Sequence, residues 1–318
     1  MLGVKGDRSV KKSILHTKLT ALNKRLIIPR KEVKEELARC EAGFEGERKL
    51  LYYLSEIEGA IRVLHDIRLP FSTGYTHFQM DTVVITQHMI IIIDAKHFSA
   101  HLIFDRVTRQ LRRGNFTFDD PITQVLRHKR GLEHWLDRPI PIMAAIALTH
   151  PNVRMEMTPP DTFDQSLIMY AQEIPAKLDE FHQEKKIILT KQEVHQLANK
   201  LERCHQPHDP DIMKKFNVQP EHLQTGIHCE SCHCWLVKRV KRRWICLGCG
   251  VFLKNPHIPA LKEYVRLFGT QAVNKQIRAF TGIESASTAK KLLGKWAVKK
   301  EGEAKGRVYQ LPEEWKWE

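Results

Sequence analysis

The chain has 318 residues, with 51 Lys and Arg against 37 Asp and Glu, for a formal net charge of +14 and a pI near 9.5. That length exceeds one typical domain and its 42% hydrophobic content is ample for packed cores, so two or three domains are expected. The charge calls for a polyanionic partner, nucleic acid first and an anionic membrane surface second. Apolar runs such as Met89 to Ile93 fall far short of the roughly 20 residues that cross a bilayer, and no membrane association is expected. At the start, Lys11, Lys12, Lys18, Lys24 and Arg25 lie among Leu and Ile, a pattern for an amphipathic helix. It reads as a solvated basic arm over residues 1–39 rather than a targeting peptide. It has no apolar core or cleavage site of a secretory signal, so a cytoplasmic address is expected.

Next, Gly43-Phe44-Glu45-Gly46-Glu47 opens a helical pattern in which Leu50, Leu51 and Leu54 follow Glu47 at i+3, i+4 and i+7. Glu47 therefore lies on the inward stripe, while Glu45 falls off it as a solvated charge. Phe78 to Ile85 and Met89 to Lys96 read as two strands of a β-hairpin. Alternation puts Gln79 and Asp81 on one face of the first strand, and Asp94 and Lys96 on one face of the second. An apolar strand has no packing reason to hold an acid and a base two residues apart, because burying either is costly unless it is paired or metal-bound. A buried structural ion pair is the alternative. Asp119-Asp120-Pro121 then supplies an acid N-cap and a proline at the first helical position. The helix it starts runs to about Leu136, with Gln124 in its first turn and His128 one turn later.

Gly-x-x-Gly-Glu, Gln-x-Asp, apolar-Asp-x-Lys and Asp-Pro-x-x-Gln, in this order, resemble the nuclease-related domain (NERD) of the PD-(D/E)xK nuclease superfamily over roughly residues 40–150. The resemblance implies a restriction-endonuclease-like α/β core. It makes Glu47 the helical acid, Asp81 the central metal ligand, Asp94 and Lys96 the acid-x-lysine pair, and Gln124 the amide of the following helix. Two departures stand out: the family more often has glutamate at the position of Asp94, and asparagine at that of His97. The implied cofactor is Mg²⁺ or Mn²⁺ on hard oxygen ligands from Asp81 and Asp94, with the Ala95 carbonyl and Glu47 as further candidates.

Further on, the chain from Asp161 to about Cys204 reads as a charged helical connector and His205 to Pro220 as a polar linker. His205 and His208 beside Cys204 are too few for a second metal site. Cys229-x-x-Cys232 and Cys246-x-x-Cys249, thirteen residues apart, have the spacing of a zinc ribbon with structural Zn²⁺; Cys234, His228 and His233 are possible competitors as ligands. Between the knuckles, Lys238, Arg239, Lys241, Arg242 and Arg243 interleave with Val and Trp, as in a strand lying along a phosphate backbone; a solvated basic edge is the alternative. Segments Ile258 to Phe268, Thr270 to Phe280 and Ser285 or Ser287 to Trp296 read as three helices. Val298 to Leu311 follows as a hairpin around a charged tip. The whole is similar to a winged helix-turn-helix with Lys290, Lys291 and Lys295 on the recognition helix.

The sequence thus points to an α/β nuclease core at residues 40–155 after the arm at 1–39. A connector at 156–220, a zinc ribbon at 221–256 and a winged-helix-like α+β domain at 257–318 complete the expected division. The leading function is metal-dependent hydrolysis of nucleic acid, DNA first. The rivals are an inactive nuclease fold that binds or regulates DNA, and an adaptor for proteins whose identity the sequence does not reveal.

Overall fold

The computed structural model describes residues 10–57, 61–71, 74–160, 167–184, 186–303 and 306–313. The first nine residues of the expected arm, Asp161 at the head of the connector and residues 304–305 of the C-terminal tip lie outside them. The chain divides into two compact units, Met1–Ser13 with Arg39–His208, and Ile14–Ala38 with Asp209–Glu318. Helix α1 (Ile14–Arg25) belongs to the second unit, and α2 (Lys31–Leu54) contributes residues to both. No described helix is long and apolar enough to cross a membrane.

The first unit runs through β1 (Arg62–Pro70), β2 (His77–Ile85), β3 (Ile90–Lys96), β4 (His101–Asp105), β5 (Gln110–Arg113), β6 (Phe116–Asp119), α3 (Pro121–Trp135), β7 (Ile142–Leu148), β8 (Arg154–Thr158), β9 (Ile168–Tyr170), α4 (Ile174–Glu184) and α5 (Lys191–Cys204). Its main sheet has the order β1-β2-β3-β7-β9 and a smaller one the order β6-β5-β4-β8. β1, β2 and β3 are antiparallel, whereas β7 joins β3 in parallel and β9 joins β7 likewise. The expected hairpin forms with Ile85 opposite Ile90. Its turn is held by Thr86, whose hydroxyl accepts from the His88 and Met89 N–H groups.

The isoleucine run of β3 is apolar at every position because helices cover both faces. Ile90 and Ile92 join the cluster with Ile122, Val125 and Leu132 of α3 and Val194, Ala198 and Leu201 of α5. Ile91, Ile93 and Ala95 join Leu50 and Leu54 of α2 and Leu178 of α4. A central strand buried on both faces reads as a continuous hydrophobic run. Asp94 and Lys96 continue the Ile90–Ile92 parity, toward α3.

Two expectations change here. α2 begins at Lys31 rather than near Gly43, so both glycines are interior. Gly46 marks a close approach and not a helix start: a Cβ there would meet His97 Cβ at 3.0 Å and Thr149 Oγ1 at 3.1 Å. The expected connector also has a packed end. α5, opened by a reciprocal Thr190–Glu193 capping box, buries Val194, Ala198 and Leu201 in the sheet's own core. His205 Nδ1 then accepts from the Arg68 N–H at 3.0 Å, and Gln206 N–H donates to the Arg68 carbonyl. That use of His205 as a cap on the β1 edge accounts for it without a metal.

The second unit holds α1, α6 (Ile212–Lys215), β10 (Val237–Val240), β11 (Arg243–Cys246), β12 (Phe252–Leu253), α7 (His257–Phe268), β13 (Gln271–Val273), α8 (Asn274–Thr281), α9 (Ala286–Trp296), β14 (Lys299–Glu301) and β15 (Val308–Gln310). Its sheets have the orders β10-β11-β12 and β13-β15-β14. The expected helix over Thr270 to Phe280 starts instead with strand β13. Gly269 (φ 86°) ends α7, and Ala272 of β13 is buried and paired with Tyr309. Residues expected in two domains share one core here: Ile227, Val237, Trp244 and Cys246 pack with Ala260, Ile283 and Ala289.

The basic N-terminal stretch is not a solvated arm. Leu19, Leu22 and Arg25 are fully buried in this unit. Arg25 Nε donates to Glu263 Oε2 at 2.7 Å, and its Nη1 to the carbonyls of Gln224 and Gly226 at 2.9 and 3.1 Å. The guanidinium lies 4.5 Å from the Trp235 ring centroid and 4.0 Å from that of Phe280. Burial depresses its proton affinity, and the Glu263 charge works against that. A buried charge left without its partner costs about 3–5 kcal/mol. Glu263→Ala should therefore destabilise this unit by that amount in denaturant unfolding, followed by fluorescence of Trp235 and Trp244. An unchanged midpoint would show that the pair does not hold α1 in place.

Candidate functional site

The acids of the first unit meet where β2 parts from both of its neighbours. Pairing of β2 with β3 ends at Thr82 opposite Ile93, so the next register position sets Asp81 against Asp94. On the other side, His65–Thr82 and Ile67–Met80 are paired but the position between them is not. There Asp66 stands opposite Asp81 with a left-handed backbone, φ 56°. Three aspartates thus occupy one row across three adjacent strands. Asp66 accepts a hydrogen bond from the Gln79 amide. Asp94 is only 4% exposed, and Lys96 Nζ approaches its Oδ2 to 2.9 Å.

The electrostatics follow from burial of like charges. Burial, the Asp94 charge and a hydrogen bond with Asp94 hold the Asp81 carboxyl well above the usual carboxylate range, against the pull of Lys96. Glu47, on the inward stripe of α2, is pushed up to about 7 by burial and then by Asp66 and Asp94. Burial alone would lower Lys96, but Asp94 and Asp81 more than offset it, and it stays cationic. Two carboxylates in contact cannot both be ionised unless a proton or cation lies between them. Hard oxygen donors under this strain suit Mg²⁺ or Mn²⁺, so the residues fit a divalent ion held by Asp81 and Asp94. Glu47 is near enough for its charge to act on Asp81. Among the described residues, the one group of three or more ligand side chains with donor atoms within 4.8 Å of one another is the four cysteines below.

The structure does not bring Gln124 into this cluster by any contact. It is exposed in the first turn of α3, whose N-cap Asp120 accepts from Ile122 and Thr123 N–H and from Arg106. One turn on, His128 is buried and kept neutral by that burial, with Asp94 raising it and Arg127 and Lys96 lowering it. Glu45 is half-buried and paired with the exposed Arg48. His97, next to Lys96, shares a hydrogen bond of 2.9 Å with Thr149 Oγ1. Asp66 was the acid that sequence reasoning missed; the stretch from Leu64 to Leu69 mixes Leu and Ile with His65, Asp66 and Arg68, so nothing local sets this aspartate apart.

In the second unit the Cys229, Cys232, Cys246 and Cys249 sulfurs lie within 4.8 Å of one another. Cys229–Cys249 are 3.8 Å apart and Cys232–Cys246 3.5 Å. Tetrahedral zinc with Zn–S near 2.3 Å separates its sulfurs by about 3.8 Å, so the four thiols fit one Zn²⁺. The Cys232 backbone N–H is the main influence lowering the Cys229 thiol. Burial would raise Cys246, yet the Cys249 and Gly248 N–H groups and nearby thiols bring it to about 6. Cys234 sits outside the four, 3.2 Å from Cys246. A Cβ on Gly248 would come within 2.9 Å of the Cys234 sulfur, which would have to shift.

The candidate nucleic-acid cations separate by their partners. Lys238 is neutralised by Glu284 at 2.7 Å. Lys241 and Arg242 form the two-residue β10–β11 turn with left-handed φ of 43° and 70°, a conformation normally left to Asn-Gly. Arg239 lies over Trp244 and Arg243 over Phe252, each 5.6 Å from the ring centroid. Lys290 and Lys291 are exposed on α9, and Lys295 stands 5.2 Å from the Trp296 ring.

Because Glu47 titrates near 4.5 when free and near 7 in the fold, the folded chain holds a proton that the unfolded chain releases. Its stabilising effect is complete below pH 4.5 and lost as pH rises through about 7, so in divalent-free buffer thermal stability should fall over that window. Glu47→Gln should flatten the decline and Mn²⁺ should offset it at the upper end; an equal slope in the variant would refute the assignment. For the cysteines, elemental analysis should find one zinc per chain, retained in Cys234→Ser and lost in Cys246→Ser. Loss in the former or retention in the latter would reassign the ligands.

The family model described as the nuclease-related domain (NERD) matches residues 42–149. No curated protein and no solved structure matches the chain. The matched stretch begins in α2, ends just past β7, and includes Glu47, Asp66, Asp81, Asp94 and Lys96. Residues 42–149 are a nuclease-related domain.

Proposed function

We propose that the chain is a Mg²⁺- or Mn²⁺-dependent nuclease that hydrolyses phosphodiester bonds in nucleic acid, DNA foremost. The observation that carries this reading is the contact of Asp81 with Asp94, with Lys96 2.9 Å from the latter, inside the nuclease-related domain. When bound, the divalent ion supplies Lewis acidity toward a phosphoryl oxygen and lowers the pKa of a water. Asp81 and Asp94 would hold it, with the Ala95 carbonyl and Glu47 as further oxygen donors. Lys96 would stabilise negative charge on the nucleophile or at phosphorus. Glu47, poised near neutrality, is matched to accept a proton at physiological pH. Gln124, from the exposed first turn of α3, would engage a substrate phosphate or its water. Neutral His128 would support Asp94.

In the second unit, zinc on the four cysteines would fix the ribbon. Together with α7, α8, α9 and the β13-β15-β14 sheet, read as a winged-helix-like module, it would present cations to the polynucleotide. Of the cations named from sequence, Arg239, Lys241, Arg242, Arg243, Lys290, Lys291 and Lys295 support that reading, and Lys238 is removed from it by Glu284. A cytoplasmic address accords with seven unbridged cysteines.

Purified protein should cut DNA only with added divalent ion. Lys96→Ala should slow cutting by about 10²–10³, as when other charge-stabilising donors are removed. Asp81→Ala and Asp94→Ala should each abolish it, with the double variant little worse than either single one. Undiminished cutting by a folded Asp94→Ala protein would reject the assignment. A protein that bound DNA without cutting it under any divalent ion would be an inactive nuclease fold.

A further inference from the structure

Beside the zinc ribbon the second unit has an open cleft of about 630 Å³, within the range of small-molecule sites. Its walls come from the β10-β11-β12 sheet, the start of α7 and one side of α9. Five cations line it, Arg239, Arg242, Arg243, Lys254 and Lys295, and no acid does. Among the described residues none of the five has an ion-pair partner, in contrast to Lys238 with Glu284 and Lys299 with Glu301 in the same unit. Like charges left unneutralised around one concavity repel each other and are stabilised only by an anion.

Three further features bear on what that anion is. Phe252, on the lining, is 62% exposed, with the Arg243 guanidinium 5.6 Å from its ring. On the inner wall Trp244 stacks on His257, centroids 5.2 Å apart and planes 18° from parallel. His257 Nδ1 is buried there with no hydrogen-bond partner. Finally, the turn bearing Arg242 is held in a left-handed conformation that its residues do not favour, a strain of the kind that clusters at ligand sites.

A free phosphate or an anionic membrane would use the cations but leave Phe252 in water. Duplex DNA offers phosphates but keeps its base faces stacked and out of reach. A single strand offers both, and an aromatic face flanked by arginines is how proteins take up unstacked bases without sequence preference. We infer that this cleft binds a single-stranded polynucleotide, with its phosphates along Arg239, Arg242, Arg243, Lys254 and Lys295 and a base stacked on Phe252. Lys290 and Lys291, exposed on α9 but outside the lining, are not part of it.

This deepens the nucleic-acid reading above, yet binding is measured apart from cleavage. The full chain carrying Asp94→Ala is titrated, without added divalent ion, into labelled single-stranded DNA, single-stranded RNA and blunt duplex DNA. Vesicles of phosphatidylcholine and phosphatidylserine form a fourth arm. Both single strands are expected to bind more tightly than duplex; a difference between them identifies DNA or RNA as the natural strand. Adding Phe252→Ala should weaken strand binding roughly tenfold, as for removal of one stacking platform, without changing the salt dependence. Phe252→Tyr should retain it. Arg239→Ala with Arg243→Ala should reduce the log–log salt slope by about 0.7 for each phosphate that is no longer neutralised. Tighter binding of duplex or vesicles, or strand binding indifferent to Phe252→Ala and to the paired arginine change, overturns the proposal. It stands if strands bind in this way while the unaltered protein cuts nothing, and falls if cutting is seen but the cleft variants bind as before.

Discussion

The first unit is organised around an electrostatic conflict. Asp81 and Asp94 share a register position on adjacent strands, and Glu47 and Asp66 are close enough to raise or be raised by their neighbours. Sheet hydrogen bonding would normally continue through that row, leaving the four acids with too few partners to remain charged. Instead the β2–β3 ladder ends before Asp81, the β1–β2 ladder skips one position there, and Asp66 takes a left-handed backbone. One lysine partly neutralises the group. Burial of like charges on this scale destabilises the bare fold, and a structural role alone would be better served by apolar residues. The surrounding core, clamped between α2 with α4 and α3 with α5, is what keeps the acids together despite their repulsion. A divalent ion held there, as proposed, would convert that repulsion into ligation, giving the strain in the protein and its proposed chemistry one origin.

The second unit solves a related problem with different groups. Its small sheets have short strands, and their cohesion comes from a thiol cluster, a shared apolar core and the buried Arg25. Arg25 is satisfied by Glu263, two carbonyls and two aromatic rings. The contrast with the cleft cations is informative. Where the fold needs a charge it supplies an acid at hydrogen-bond distance, as for Arg25 and Lys238. Around the cleft it supplies none. The convergence of five cations on one concavity whose lining holds no acid is what the proposed anionic ligand would answer.

Much of this was legible in the sequence because it rests on local pattern. An acid and a base two residues apart in an apolar strand, the Asp120-Pro121 cap and the two Cys-x-x-Cys knuckles each state their chemistry within a few residues. What was not legible depends on long-range packing. Gly43 and Gly46 read as a helix start because glycine is a poor interior residue, but Gly46 is there for the approach of His97 and Thr149. The arm at Lys11 to Arg25 read as solvated because charge favours water; its burial depends on Glu263, more than two hundred residues away. Asp66 was overlooked because only the register of β1 against β2 brings it beside Asp81. Likewise, no local signal distinguishes Lys238 from Arg239, one neutralised by Glu284 and the other turned to Trp244.

The central claim is that the acid row is a divalent-cation site whose protons yield to the metal. Calorimetric titration of Mn²⁺ near pH 6, repeated in buffers of different ionisation enthalpy, tests it most directly. The account predicts saturable binding with release of on the order of one proton, both abolished by Asp81→Asn with Asp94→Asn while zinc content stays unchanged. Absence of binding, or binding indifferent to those two substitutions, would contradict it.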